Sequence, residues 1–332
     1  MEEAVISGVH DFARSMNSGS KVVSDMSALV NATSALPLTK LDYWERLIRN
    51  EFYKALEATA QPKWKIWNKP QHFLTWVDLC SWDGFKREKT IRTLSNGAPN
   101  TFFFALVLRR LNDWVPQVRK AVREHLPKIA ELSNPEHVAD GLCLILSNWN
   151  SWGRIEDEDK KVLLKIISSK PVAAALKIKI LNGTSGPLPT IFSQIGREAT
   201  FDSELHDFAV NAVQPSVRAK AFRCLFEGEM TWVEGYKWKW TDVRFCKGRV
   251  MSIIGKRKLT SELQFLKSLH QASGDRSSLV RRVAAEILIR ELDSLGSEAK
   301  TLANKFSKDS ALSVSERGDF ALKKLELQSI EQ

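Results

Sequence analysis

Paired motifs for metal or redox chemistry are missing from this chain. Its four cysteines, Cys80, Cys143, Cys224 and Cys246, are widely scattered among 332 residues. They form no Cys-x-x-Cys pair and have no histidine at zinc-ligand spacing, which excludes the usual zinc sites. They read as buried free thiols of a reducing cytoplasm. The six histidines (His10, His72, His125, His137, His206 and His270) are isolated. No His-x-x-x-His, Glu-x-x-His or Gly-x-Ser-x-Gly occurs, and Asn182-Gly-Thr-Ser-Gly186 lacks the Gly-Lys-Ser/Thr ending of a phosphate loop. The expectation is therefore no catalytic residue, no metal and no cofactor.

Long apolar runs are absent too. The longest, Phe102 to Leu108, falls far short of the roughly 20 residues a spanning helix needs, so no membrane partner is expected. The opening Met1-Glu2-Glu3 has no basic segment leading into an apolar one, which argues against a secretory leader and for the cytoplasm. Asn31-Ala-Thr33 and Asn182-Gly-Thr184 match the glycosylation triplet, and without a leader both read as chance.

What is there is helical. The hydrophobic share of 43% is ordinary for a globular chain and excludes wholesale disorder. Residues 1–36, rich in Ser, Asn, Ala and Val, read as a helical arm or a loosely ordered segment. From residue 37 to 332 apolar helical stretches alternate with breaks such as Ser95-Asn96-Gly97, Ser133-Asn134-Pro135 and Ser273-Gly274-Asp275. No sustained strand pattern or hairpin signal stands out. Tyr236-Lys-Trp-Lys-Trp240 alternates over five residues and reads as a short extended loop within an insertion near 233–258.

Three stretches repeat a pattern: Asp113-Trp-Val-Pro116-Gln-Val118-Arg119-Lys-Ala-Val122, Val213-Gln-Pro215-Ser-Val217-Arg218-Ala-Lys-Ala221-Phe222, and Asp275-Arg-Ser-Ser-Leu-Val280-Arg281-Arg-Val-Ala284. Each holds a Val-Arg pair with apolar residues following at helical spacing. Proline two residues before the Val suits a first helical turn, and Asp before a helix start can accept from its orphan N–H groups. Lys170-Pro171-Val172 and Glu88-Lys-Thr-Ile91-Arg92 are degenerate candidates.

This pattern resembles the HEAT repeat, an armadillo-type family. The resemblance implies an all-α protein, a curved α-α superhelix of six or seven stacked helix pairs. It also implies that Arg119, Arg218 and Arg281 are structural, each bonded to the preceding repeat. Such arrays bury their cores only by stacking.

The charge balance points to the partner. Lys plus Arg number 49 and Asp plus Glu 39, a net +10 with a pI near 9.4. That favours an anionic partner, DNA or RNA first. Candidate phosphate contacts are Lys63 and Lys65 in a Trp-rich stretch, and Lys120, Arg123, Lys220, Arg223 and Arg282 on second helices that would line the concave face. The insertion adds Lys237, Lys239, Arg244, Lys247, Arg249, Lys256, Arg257 and Lys258, with Trp238 and Trp240 as stacking rings. The expected function is a non-catalytic scaffold that engages nucleic acid. Its rival is a protein–protein adaptor anchored by some of the 11 tryptophans. A third reading, similarity to alkylpurine DNA glycosylases built on HEAT-like repeats, would use Asp113 with Trp114, or Trp149 and Trp152 near Asp157 and Asp159.

Overall fold

The computed structural model describes residues 1–17, 25–58, 74–260 and 264–330. It is mostly helical, with sixteen α-helices and one two-stranded sheet among the described residues. The chain divides into two units, Met1–Leu176 and Lys177–Gln332.

The first unit opens with α1 (Glu2–Asn17), α2 (Ser27–Ser34) and α3 (Leu41–Ala58). Val5, Val9 and Phe12 of α1 are fully buried, and Phe12 stacks on Phe52 of α3. Then follow α4 (Gly84–Thr93), α5 (Thr101–Arg109), α6 (Pro116–Leu132), α7 (Pro135–Leu146), α8 (Asp157–Ile167) and α9 (Lys170–Asn182), which crosses the boundary between the units. α5 is apolar all round: every residue from Phe102 to Leu108 is buried, with Asn100 capping by accepting from the Phe103 amide. α6 starts at Pro116, where the missing N–H costs nothing. It buries Val118, Ala121, Val122, Leu126 and Ile129, one stripe at helical spacing. Alternate helices pack together. α3 meets α5 and α5 meets α7, while α4 meets α6 and α6 meets α8.

The second unit holds α10 (Leu188–Ile195), α11 (Leu205–Asn211), α12 (Pro215–Glu227), strands β1 (Glu229–Asp242) and β2 (Lys247–Lys258), α13 (Phe265–Ser273), α14 (Ser278–Arg290), α15 (Ser297–Ser307) and α16 (Leu312–Ile330). α12, α14 and α16 again pack in succession.

A recurrent arginine ties these helices. Arg87, Arg119, Arg218 and Arg281 each donate through Nη1 to the carbonyl six residues back, at 2.8–2.9 Å, in the turn that precedes the helix. Three of them also grip an aspartate in the next turn with two parallel bonds: Arg87 with Asp113, Arg218 with Asp275, and Arg281 with Asp309. Each aspartate in turn accepts from the amide two residues on, at Val115, Ser277 and Ala311. The partner is thus in the following turn, not the preceding one as the resemblance implied. The early member of the series is Arg87 and not Arg92, which pairs with Glu88 and Glu124.

The insertion also differs from the expected short loop. Twelve pairings join β1 to β2 in an antiparallel hairpin. It follows Gly228, whose φ of 65° ends α12 in the left-handed conformation glycine tolerates.

Candidate functional site

The hairpin is anchored at its base and open to water beyond it. Met230 is fully buried, its Sδ 3.6 Å from Cys224 Sγ, and its side chain lies against Gly196, where any Cβ would approach within 2.7 Å. Arg257 donates to the carbonyls of Gly196 and Glu198 and to both carboxylate oxygens of Asp202, at 2.5–2.8 Å. The Thr260 amide and hydroxyl bond the same Asp202. Burial alone would raise the Asp202 carboxyl. The Arg257 and Thr260 hydrogen bonds outweigh it and hold the group below the usual carboxylate range. Gln194 donates to the Val233 carbonyl at 2.8 Å, and Arg197 lies 5.3 Å from the centre of the Trp232 ring.

A register shift at Glu234 decides which side chains share a face. Side chains alternate along a strand, so Met230, Trp232, Tyr236, Trp238 and Trp240 would all lie on one face of a regular strand. The extra residue between Val233 and Gly235 breaks that parity. Met230 and Trp232 therefore share a face with Lys237, Lys239, Arg249 and Met251, and pack onto the helices at the base. Tyr236, Trp238, Trp240 and Val250 lie on the opposite face. All three rings are more than half exposed, and Trp238 meets Trp240 edge-on at 5.6 Å. Gly248 leaves room for the Trp238 ring, as Gly255 does for Trp232: a Cβ at either would come within 2.5 Å of the indole. Val243 and Phe245 are exposed at the tip, with Lys247 Nζ 5.8 Å from the Phe245 ring centre. Cys246 also sits there, exposed at φ 50°, whereas Cys80, Cys143 and Cys224 are buried. The expectation of four buried thiols fails for Cys246. Burial pushes the Cys224 thiol up to about 11.

The remaining candidate cations divide into free and engaged. Lys237, Lys239, Arg249 and Lys258 are exposed and form no ion pair among the described residues. Arg244 is only loosely paired, 3.7 Å from Asp242. Lys256 pairs with Glu229 at 3.1 Å at the surface. Arg257 is consumed by Asp202, so it anchors the ribbon instead of reaching out.

The cations on the helices are mostly engaged as well. Arg123 bonds Asp159 and Glu156, both at 2.7 Å, which engages two members of the acidic run at the start of α8. Lys220 donates to Thr231, Arg223 pairs with Glu286, and Arg282 lies 3.6 Å from Glu286. Lys120 is exposed, 4.0 Å from Glu124. Lys63 and Lys65 lie outside the described residues.

Asp113 is spent on structure. It is buried, gripped by Arg87, 3.2 Å from Arg110 and bonded to the Val115 amide. Burial would raise its carboxyl, but those partners hold it below the usual range. Trp149 is fully buried, and Asp159 is taken by Arg123.

Of the exposed side chains, Phe85, Phe245 and Val243 were not singled out by sequence reasoning. The only signal for the last two was their place between two alternating stretches. No helix among the described residues is long and apolar enough to cross a membrane. No protein-family model matches the chain, and no curated protein matches it.

Proposed function

We propose that this chain is a non-catalytic binding scaffold of HEAT-like stacked helix pairs that captures single-stranded nucleic acid on the β1–β2 ribbon. Two features support the stacked-pair reading within each unit: alternate helices pack in succession, and one arginine–aspartate clamp recurs between consecutive turns. The observation that carries the binding reading is the ribbon itself. Three exposed rings lie on one face, and Lys237, Lys239 and Arg249 stand on the other with no ion pair among the described residues. Cations neutralise phosphates, and flat rings stack on unpaired bases of any sequence. The basic residues of the second helices contribute less, because most already hold carboxylates. Free thiols fit a reducing cytoplasm.

Anisotropy titrations with labelled single-stranded and duplex DNA and RNA, at low and moderate salt, test this. Single strands should bind more tightly than duplexes, with affinity falling as salt rises. The variant Lys237→Glu/Lys239→Glu/Arg249→Glu should bind more than about tenfold more weakly with an unchanged helical spectrum. No binding at low salt would end the proposal. The adaptor reading draws on a different observation, the exposed Trp82 and Trp114 of the first unit.

A further inference from the structure

The turns before α4 and α6 hold equivalent places in successive helix pairs, because Arg87 and Arg119 each bond the carbonyl six residues back. Trp82 and Trp114 each stand five residues before those arginines, so they too are equivalent. Their side chains are 66% and 69% exposed, and Phe85 is 82% exposed. A lone exposed ring needs no explanation, but three gathered around one hollow do. The hollow between them has a volume of about 310 Å³, within the range of small-ligand pockets.

Its charge is opposite in sign to that of the protein. Asp83 and Glu88 line it, and no Lys or Arg among the described residues does, in a chain that carries +10 overall. Asp83 makes no ion pair among the described residues; its Oδ1 accepts from the Phe85 amide. Glu88 is shared with Arg92 at 3.0 Å. The helix starts nearby do not make this an anion site. Asp83 already covers the Phe85 amide, and Pro116 has no N–H to offer. Aromatic faces attract cations, and Trp82 already does so within the chain: the Arg49 guanidinium carbon lies 3.5 Å from its ring centre.

We propose that this hollow binds an organic cation, a lysine, methylated lysine or arginine side chain presented by a protein partner. The rings supply the walls, and Asp83, with Glu88, supplies the counter-charge. The site lies in the first unit and does not depend on the ribbon reading.

The test follows the indole N–H signals of the ¹⁵N-labelled full chain, with Trp82 and Trp114 assigned from Trp82→Phe and Trp114→Phe. The probes are blocked amides of lysine, trimethyllysine and arginine, with neutral acetyl-lysine and an uncharged nucleoside as controls. The cationic amides should shift these two signals, and the controls should not. Asp83→Asn, which still caps α4, should weaken the effect about fivefold. Lys237→Glu/Lys239→Glu/Arg249→Glu should leave it unchanged, which separates this site from the ribbon. Equal shifts with acetyl-lysine, shifts with the nucleoside alone, or no shift of either signal at millimolar probe would overturn the proposal.

Discussion

Arg218 is 1% exposed, and its guanidinium is paired with the Asp275 carboxylate. Asp275→Asn keeps an oxygen for the Ser277 amide and removes the charge. Breaking one side of a buried pair costs about 3 kcal/mol or more, because the other charge stays buried alone. Urea unfolding should register that loss, and adding Arg218→Met should recover part of it. A cost below about 1 kcal/mol would mean the clamp is dispensable. The same groups set the acid response. The Asp113, Asp202 and Asp309 carboxyls are all held below their ordinary value; for Asp309 the main cause is its bond to Arg281. A depressed folded value means that the unfolded chain binds more protons as pH falls. The stability is therefore complete above the ordinary value of about 4 and drains away below it. Melting temperature should be level from about pH 7 to 5 and fall below about pH 4. A level curve down to about pH 3 would contradict this. The structural arginines were legible where a Val-Arg pair marked them, at Arg119, Arg218 and Arg281. Arg87 was not, because Lys86 precedes it and its defining feature, a bond to the carbonyl six residues back, is a matter of turn geometry.

The ribbon shows why an element can be half legible. Met230, Trp232, Tyr236, Trp238 and Trp240 alternate with other residues over eleven positions, a period that belongs to strands. Nothing in the Val243-Arg-Phe-Cys246 turn carries the Asn-Gly or Asp-Gly signature of a tight hairpin, so the sequence reads as a short loop. The bulge at Glu234 is hidden in the same way, although it determines that the exposed rings face away from the anchored side. Helices were easier to read, because their apolar stripes recur over several turns and Pro116 and Pro215 mark their starts. The ribbon's packing can be tested at Gly255. A Cβ there would lie 2.3 Å from Trp232 Nε1, so Gly255→Val must displace the indole. Overpacking of this kind costs about 1–3 kcal/mol. The strain should stay local: hydrogen exchange should speed up at ribbon amides near the base and not in α14 or α16. Uniform acceleration across the second unit would show that the ribbon and its helices open together.

At the scale of the whole molecule, +10 was legible at once, but its placement was not. Net charge counts residues without saying which are already neutralised. Arg123, Arg223 and Arg257 spend theirs on carboxylates of the fold, whereas Lys237, Lys239, Arg249 and Lys258 form no ion pair among the described residues. The salt dependence of binding distinguishes a local site from a diffuse one. Each phosphate neutralised on a single strand contributes about −0.7 to the slope of log affinity against log salt. The four free cations, with Arg244 and Lys247 beside them, set a slope between about −3 and −4 for the intact chain. Reversing Lys237, Lys239 and Arg249 should make it shallower by about 2. A slope near −8 that survives the reversal would move the interface to the helices, where Lys120 is the least engaged of the candidate cations. A flat line would make the excess charge incidental to binding, and the aromatic hollow of the first unit would become the better guide to the partner.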